Sequence, residues 1–173
     1  MEIEKTKNKM RTIKIEKVVL SVGGIGDSLE KGYKLLQILG DGQKVAKMKS
    51  RKRIPTLNVR PGLEIGAVIT IREKTDILLK RLLKAIENQL KRKQISVNNF
   101  SFGVKEYIEI PGVEYQREIG IIGLDVTVVF KRAGRRVRIR KIKRGKIPKR
   151  QEITKEEIIK YMEENFGTEF IGK

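Results

Sequence analysis

Residues 131–150, which we call the basic segment, read KRAGRRVRIRKIKRGKIPKR and contain twelve Lys or Arg side chains and no Asp or Glu. Packing so many like charges together costs self-repulsion. That cost is tolerable only where the segment lies at a surface, against counter-ions or a polyanion. Any fold of this chain must therefore present these residues outward, and a nucleic acid is the first polyanion to consider.

The positive charge is concentrated in the first 150 residues. The whole chain carries +19, and residues 151–173 carry −3, which leaves +22 for residues 1–150. Such a field attracts RNA, DNA or an anionic membrane without discriminating among them. Hydrophobic residues make up 39% and charged residues 35% of the 173 residues. These values fit a globular protein with a modest core, so we predict a single domain over residues 1–173.

The sequence contains no Cys and no His. Disulfides, Cys/His zinc sites, Ser-His and Cys-His nucleophiles and imidazole acid/base chemistry are therefore excluded. We expect no cofactor, no bound metal and no enzymatic reaction. Residues 1–17 are charged and lack the apolar run of a signal peptide, and no later segment is apolar enough to span a bilayer. The protein is expected to be cytosolic, without a membrane partner.

The first half of the chain predicts strand, glycine turn, helix and two further strands. Apolar residues favour a strand over residues 13–22, a turn follows at residues 23–26, and Asp27 or Ser28 begins a helix that ends near Gly40. Residues 43–48 are compatible with a second strand, and residues 49–60 with an exposed basic loop or irregular hairpin. Residues 65–72 alternate, which places Thr70 and Arg72 opposite the isoleucines.

The second half predicts two helices, short strands and a hairpin. An apolar stripe from Leu79 to Leu90 indicates the longest helix, beginning at Thr75 or Asp76. Loops and short strands are expected over residues 98–123, and a strand over residues 124–130. Within the basic segment, Val137 and Ile139 alternate with arginines, which predicts a hairpin strand with one apolar and one cationic side. A capping box over residues 154–157 begins the last helix.

Three other features have plain structural interpretations. The glycine turn reads G-G-x-G, which matches neither the dinucleotide fingerprint nor a phosphate-binding P-loop. Backbone contact with an RNA phosphate remains open for it. Carboxylate pairs occur in the last helix and are best interpreted as solvated charges: Glu156, Glu157, Glu163 and Glu164. The clustered aromatics Phe100, Phe102 and Tyr107 are expected in the core, because no RNA-recognition-module signature accompanies them.

Four ordered blocks resemble a known family. They are NKMRTIKIEKVVLSVGGIG, GQKVAKMKSRKRIPTLNVRPGLEIGAVITIRE, SFGVKEYIEIPGVEYQREIGIIGLDV and RAGRRVRIRKIKRGKIPKRQEITKEEIIKYM. They resemble the 5S rRNA-binding ribosomal proteins of the large subunit, number five in the older naming, in their archaeal and eukaryotic branch. The resemblance implies an α+β domain with a mostly antiparallel curved sheet, helices on one face, a basic loop and a basic β-hairpin.

The resemblance also implies three sets of contact residues. The 5S rRNA face would comprise Ser21, Gly23, Gln43, Lys44, Thr70 and Arg72, with Ser21 standing where the family usually has Asn. The loop facing peptidyl-site tRNA would comprise Ser50, Arg51, Lys52, Arg53, Thr56, Asn58 and Arg60. Phosphates of large-subunit rRNA would meet Arg135, Arg136, Arg138, Arg140, Lys141, Lys143, Arg144, Lys146, Lys149 and Arg150. Neighbouring ribosomal proteins of the central protuberance would complete the partners.

The function expected from the sequence is therefore structural: attachment of 5S rRNA to the large subunit and contact with tRNA. A nucleic-acid-acting enzyme is the first alternative, but it requires a carboxylate cluster for Mg²⁺. A general RNA-binding protein is the second. A binder of anionic membranes is disfavoured, because it predicts a basic amphipathic helix where this sequence alternates like a strand.

Overall fold

A computed structural model describes residues 9–172 of this protein. Its strands are formed by stretches in which apolar and polar side chains alternate. The charged stretch at residues 1–8, used above to argue against a signal peptide, and Lys173 lie outside the described residues. The strands are β1 (Lys14–Gly23), β2 (Ala46–Lys49), β3 (Glu64–Ile71), β4 (Gln89–Lys91), β5 (Ile95–Ser96), β6 (Asn99–Val104), β7 (Leu124–Lys131) and β8 (Glu169–Ile171). The helices are α1 (Asp27–Leu39), α2 (Thr75–Lys84), α3 (Arg136–Ile139) and α4 (Lys155–Phe166).

Six strands form the main sheet in the order β2-β3-β1-β7-β6-β5, and all the pairs are antiparallel. Two short strands, β4 and β8, pair in parallel in a separate two-stranded sheet. Every second residue of the central strands is buried, as in Val18, Leu20 and Val22 of β1. This period of two directs one face of the sheet to a core and leaves the other face free.

Helices α1, α2 and α4 cover the buried face. The buried leucines of α1 and α2, together with Ile158 and Met162 of α4, join the strand residues in one continuous cluster of buried side chains. The aromatics expected in the core, Phe100, Phe102 and Tyr107, are all buried. The predicted α+β fold, with a mostly antiparallel sheet and helices packed on one face, is confirmed.

The α2 helix is shorter than predicted. It ends at Lys84 rather than continuing to Leu90, and α1, with 13 residues, is longer than the 10 residues of α2. Glu87 and Asn88 have left-handed backbones with φ of 54° and 58°, which turn the chain away from the helix axis. Leu90 still reaches the core, but from β4. A stripe of buried leucines does not by itself show where one element gives way to the next.

The predicted basic β-hairpin is wrong. Residues Arg136–Ile139 form the single-turn helix α3, with the Arg140 backbone N–H donating to the Arg136 carbonyl at 2.9 Å. The physical reason lies in the sheet order. Strand β7 is already flanked by β1 and β6, so a strand that follows it directly finds no free edge to pair with.

Candidate RNA-binding surfaces

The face of the main sheet opposite the helices, which we call the open face, is made of small and polar side chains. Strand register places Ser21 across from Val68 and Asp125, and Val19 across from Thr70 and Thr127. Each of its members is half-buried or exposed. They include Lys17, Val19, Ser21, Gly23, Ala46, Met48, Gly66, Val68, Thr70, Asn99, Ser101, Gly103, Asp125, Thr127, Val129 and Lys131. Short side chains on an open sheet let a ligand approach close to the backbone.

Of the residues predicted for 5S rRNA, Lys44, Thr70 and Arg72 gather at one corner of the open face, whereas Gly23 lies at the other end of the β1–β3 pair, opposite Gly66. Ser21 and Thr70 share the face on neighbouring strands. Because β2 runs antiparallel to β3 with Ala46 opposite Val68, the turn before β2 lies toward Thr70 and Arg72. Lys44 and Arg72 are exposed, and Gly23 is exposed at the end of β1.

Gln43 lies at the same corner but not on the open face. It is half-buried in the turn between α1 and β2. There it lines a cavity of about 310 Å³ together with Leu39, Ile71, Leu78 and Arg81. Its position therefore joins the open face to the helix side of the sheet edge.

Residues 50–63, which connect β2 to β3 and contain the predicted tRNA loop 50–60, are closed at their base. The Ser50 backbone N–H donates to the Leu63 carbonyl at 2.8 Å, and the Gly62 N–H donates to the Ser50 carbonyl at 2.8 Å. The Ser50 hydroxyl donates to the Lys52 carbonyl at 2.7 Å, and Ser50 is buried. Ser50 thus holds the neck of the loop rather than facing outward. We call residues 50–63 the tip loop.

The far end of the tip loop is an irregular hairpin, one of the two forms predicted. An isolated bridge joins Ile54 to Val59 around a single 3-10 turn at Pro55–Leu57. Asn58 has a left-handed backbone with φ of 52°, a conformation that Asn tolerates. Beyond Ser50, the polar members of the loop all lie at the surface, and they are Arg51, Lys52, Arg53, Thr56, Asn58 and Arg60. The loop presents four cations and no acid between Ser50 and Leu63.

Two arginines fasten the basic segment to the body. The Arg132 side chain is only 4% exposed, and its Nη2 donates to Glu157 Oε1 of α4 at 2.6 Å. Arg135 donates from Nη1 to the Phe130 carbonyl at 3.0 Å and lies 2.8 Å from Glu16 Oε2. Arg135, which was predicted to meet rRNA phosphates, therefore already has an internal counter-ion. Both arginines position the segment.

The other basic side chains of the segment face solvent. Arg138 has a long ion pair of 3.9 Å with Glu152 and a side chain that is 66% exposed. The remaining predicted phosphate contacts are exposed as well, and they are Arg136, Arg140, Lys141, Lys143, Arg144, Lys146, Lys149 and Arg150. These exposed cations all belong to one segment, which Arg132 and Arg135 hold to the body of the protein.

The Glu157 carboxyl is tuned by its surroundings. Burial alone raises its pKa, but the Thr154 backbone N–H and the Arg132 guanidinium both stabilise the carboxylate, and the net effect lowers the pKa below its ordinary value of 4.5. The Thr154 N–H donates to Glu157 Oε2 at 3.0 Å, so the predicted capping box is confirmed. Glu157 thus serves both the helix start and the buried Arg132.

Several members of the open face escaped the sequence interpretation, among them Asn99, Ser101, Asp125 and Thr127. The signal was present, because the apolar alternation of residues 124–130 leaves Asp125 and Thr127 on the opposite side. What the sequence lacked was the pairing of β7 with β1 and β6. That pairing places these residues beside Ser21.

The arrangement offers little for catalysis. Within residues 9–172 there is no group of three or more acidic side chains that could hold a metal ion. The carboxylates of Glu156, Glu163 and Glu164 lie exposed on α4, away from the open face. No helix in the described part of the chain is long and apolar enough to cross a membrane.

Helices cover one face of the main sheet and small polar residues line the other, while the tip loop and the basic segment add exposed cations. This arrangement defines a basic α+β protein suited to lie against a polyanion. Residues 64–161 match the model of the C-terminus of the ribosomal L5 family. This match covers more than half of the 173 residues and extends from β3 into α4. The chain belongs to the ribosomal L5 family.

Archaeal relatives match over nearly the whole chain, and each is named large ribosomal subunit protein uL5. The relative from Nanoarchaeum equitans is 45% identical over 166 residues, covering 94% of this chain and 98% of that protein. The relative from Sulfolobus acidocaldarius is 40% identical over 171 residues, covering 96% of each chain. The relative from Picrophilus torridus is 39% identical over 176 residues, covering 98% of this chain and 99% of that protein. The resemblance inferred from the four sequence blocks is confirmed.

Proposed function

We propose that this chain binds 5S rRNA through the open face and its corner, and helps to attach that RNA to the large-subunit rRNA of the central protuberance. The observation that carries the proposal is the position of Ser21 and Thr70 on one uncovered sheet face, with Lys44 and Arg72 exposed at its corner. As a member of its family, the chain is a structural constituent of the large ribosomal subunit in the cytoplasm. Its relatives are named as ribosomal proteins, and the chain is not an enzyme.

The open face and the basic segment supply different parts of the binding free energy. Phosphate contacts made by the exposed arginines and lysines give affinity but little sequence specificity, and they weaken steeply with added salt. The hydroxyls of Ser21 and Thr70 carry no charge, and their hydrogen bonds depend on the shape and edges of the RNA held against the sheet. Recognition of one folded RNA thus comes from the open face, while most of the binding affinity comes from the exposed cations of the basic segment.

The test is a titration with 5S rRNA, tRNA and an unrelated duplex RNA at about 50 mM and about 200 mM salt. We expect 5S rRNA to bind most tightly at both salt concentrations, because the uncharged contacts of the open face are little screened. Duplex RNA should lose most of its affinity between the two. Equal affinity for the three RNAs at the higher salt would overturn the proposal.

The tip loop is proposed to contact peptidyl-site tRNA. Its cations Arg51, Lys52, Arg53 and Arg60 are exposed on a hairpin that continues β2 and β3 beyond their last pair, Lys49 with Glu64. The hydrogen bonds of Ser50 close the base of the loop, so the tip is presented on a defined neck. The loop can therefore reach a second RNA while the sheet holds the first.

Replacing Arg51 and Arg53 together by Ala is expected to weaken tRNA binding about tenfold, because two exposed cations no longer meet phosphates. Binding of 5S rRNA and the melting temperature should stay unchanged. Gel-shift titration with each RNA measures the effect. The matched control is the double variant Lys80→Ala, Lys84→Ala, which removes the same charge from α2. An equal loss of tRNA affinity in both variants contradicts a specific role for the loop.

A further inference from the structure

The open face ends in a groove that is lined mainly by glycines. Strand β7 begins at Leu124, level with Val104 at the end of β6, and leaves a gap beside β1, which runs on to Gly23. The gap forms a groove of about 450 Å³ whose walls are strand ends and glycine backbone, at Gly23, Gly103 and Gly123. The polar side chains around it are Ser21, Lys105 and Asp125. The groove is open to solvent rather than enclosed, so a nucleotide of an RNA lying on the open face can reach it.

Close backbone approach requires glycine at Gly123, whereas at Gly103 a Cβ would make only an ordinary contact. A Cβ at Gly123 would lie 2.7 Å from the Lys105 carbonyl oxygen, so the backbone strands approach too closely for any side chain. A Cβ at Gly103 would lie 3.4 Å from Asp125 Oδ1. Without it, the carboxylate is left open on the side of the groove.

Asp125 is out of place on a surface that faces RNA. It is exposed, and within the described residues its carboxylate has neither a hydrogen-bond donor nor an ion-pair partner. A free negative charge repels phosphates and lowers affinity for every RNA. The charge is useful only if the RNA offers it hydrogen-bond donors, because charge-assisted hydrogen bonds are the strong ones.

Among the four standard bases, guanine meets this requirement best. Its Watson–Crick edge presents two adjacent donors, N1–H and the N2 amino group, which match the two oxygens of a carboxylate. The O6 acceptor next to them needs a donor. Ser21, directly across the strand pair from Asp125, carries a hydroxyl within the distance typical of facing side chains. Lys105 lies in the same groove and can meet the phosphate of that nucleotide.

We propose that Asp125 and Ser21 form a subsite that reads the Watson–Crick edge of an unpaired guanine at the end of the open face. The subsite rests on the proposed function, since it needs RNA held against that face. Asp125 accepts the two guanine N–H groups, Ser21 donates to O6, and Lys105 holds the phosphate. The subsite adds base selection to a surface otherwise built for shape.

The substitution Asp125→Asn tests the subsite, because the subsite and simple charge repulsion predict changes of opposite sign in the affinity for 5S rRNA. If Asp125 only repels phosphates, removing its charge must strengthen binding to every RNA. The subsite predicts the opposite for 5S rRNA: a loss of about tenfold, because the Asn amino group meets a guanine donor instead of accepting from it. Affinity for duplex RNA should stay equal or rise. The matched control, Glu164→Gln on α4, removes the same charge far from the open face and should weaken neither.

Kethoxal, which reacts with N1 and N2 of unpaired guanine, reports the same atoms directly. In the wild-type complex at least one loop guanine of 5S rRNA should be protected, and the protection should disappear with Asp125→Asn at saturating protein. Unchanged or tighter 5S binding by this variant overturns the subsite while leaving the proposed function in place. A loss of affinity without a change in kethoxal reactivity overturns the assignment to guanine. A wild-type protein without preference for 5S rRNA overturns the proposed function itself.

Discussion

Replacing Glu157 by Gln should lower the free energy of unfolding at pH 7 by about 3 kcal/mol, the low end for breaking a buried ion pair. The reason is that Arg132, whose side chain is 4% exposed, would keep its charge without a counter-ion. Gln preserves the capping box, since its amide oxygen can still accept from the Thr154 N–H. The measurement is urea unfolding followed by far-UV circular dichroism, which suits a chain without Trp.

The opposite substitution, Arg132→Met, should cost less, about 1 kcal/mol, because the two partners are unequally buried. Glu157 is 35% exposed, so water can solvate its carboxylate once the guanidinium is gone. The buried Arg132 Nε has no hydrogen-bond acceptor within residues 9–172, and removing it relieves that cost. Equal losses in the two variants, or a larger loss for Arg132→Met, would contradict this account of the pair.

The effect of Glu157→Gln should also depend on pH. The folded-state pKa of Glu157 lies below the ordinary value of 4.5, so the stability from its ionised form is fully present above that value. It is lost as the pH falls through the lowered folded-state pKa. The difference between wild type and variant should therefore stay constant from neutral to mildly acidic pH and shrink in stronger acid.

An exposed pair provides the control. Lys34 Nζ lies 2.8 Å from Glu118 Oε2, with side chains that are 55% and 76% exposed. The same exchange, Glu118→Gln, should leave stability unchanged within error, because solvent and salt screen the pair. A similar ion-pair distance thus leads to different energetic consequences, and burial of the arginine decides between them.

Removing two polar groups from the corner of the open face should give the largest effect on RNA recognition. The double variant Thr70→Ala, Arg72→Ala is expected to weaken 5S rRNA binding by about 10- to 100-fold, which is two hydrogen bonds of ordinary strength. Affinity for duplex RNA should fall only slightly, since a single cation is lost. Titrations at several salt concentrations should show the 5S loss persisting when electrostatic binding is suppressed.

The comparison variant, Arg138→Ala with Arg140→Ala, removes two cations from the basic segment. It should weaken all RNAs to a similar extent and reduce the slope of log affinity against log salt by about 1.5 to 2. Both variants should unfold at the wild-type temperature, because the four side chains are at least partly open to solvent and none belongs to the buried core. Silent changes at Thr70 and Arg72, with 5S binding abolished at Arg138 and Arg140, would mean that the two surfaces are assigned wrongly.

Short-range sequence patterns predicted the structure correctly where one face of a strand or helix is buried. The strand with Ile69 and Ile71 facing the core, the helix beginning at Asp27 and the capping box at Thr154 all follow from spacing, and the structure has each of them. The shared face of Ser21 and Thr70 follows from the same alternation once β1 and β3 are paired. A side chain's direction is set by its nearest neighbours along the chain, which a sequence displays.

The sequence-based predictions failed where the structure depends on pairing between residues that are distant in sequence. Val137 and Ile139 alternate with arginines, yet the two are 38% and 56% exposed, so no buried face imposes a strand there. The partners that decide the matter are distant in sequence: Glu16 holds Arg135, and Glu157 holds Arg132. Nor could the sequence show that Asp125 would lie between Ser21 and Gly103, because that depends on three strands meeting.

The closed neck of the tip loop has a consequence for how this protein can change. Ser50 is hydrogen-bonded to Gly62 and Leu63, so the register of β2 against β3 is fixed before the chain enters the tip. Residues inserted or exchanged beyond the neck therefore leave the sheet in register, and lengthening such a loop adds only a small entropic penalty. Residues of the tip can therefore be exchanged or added while β3, the strand that carries Thr70, keeps its position in the sheet.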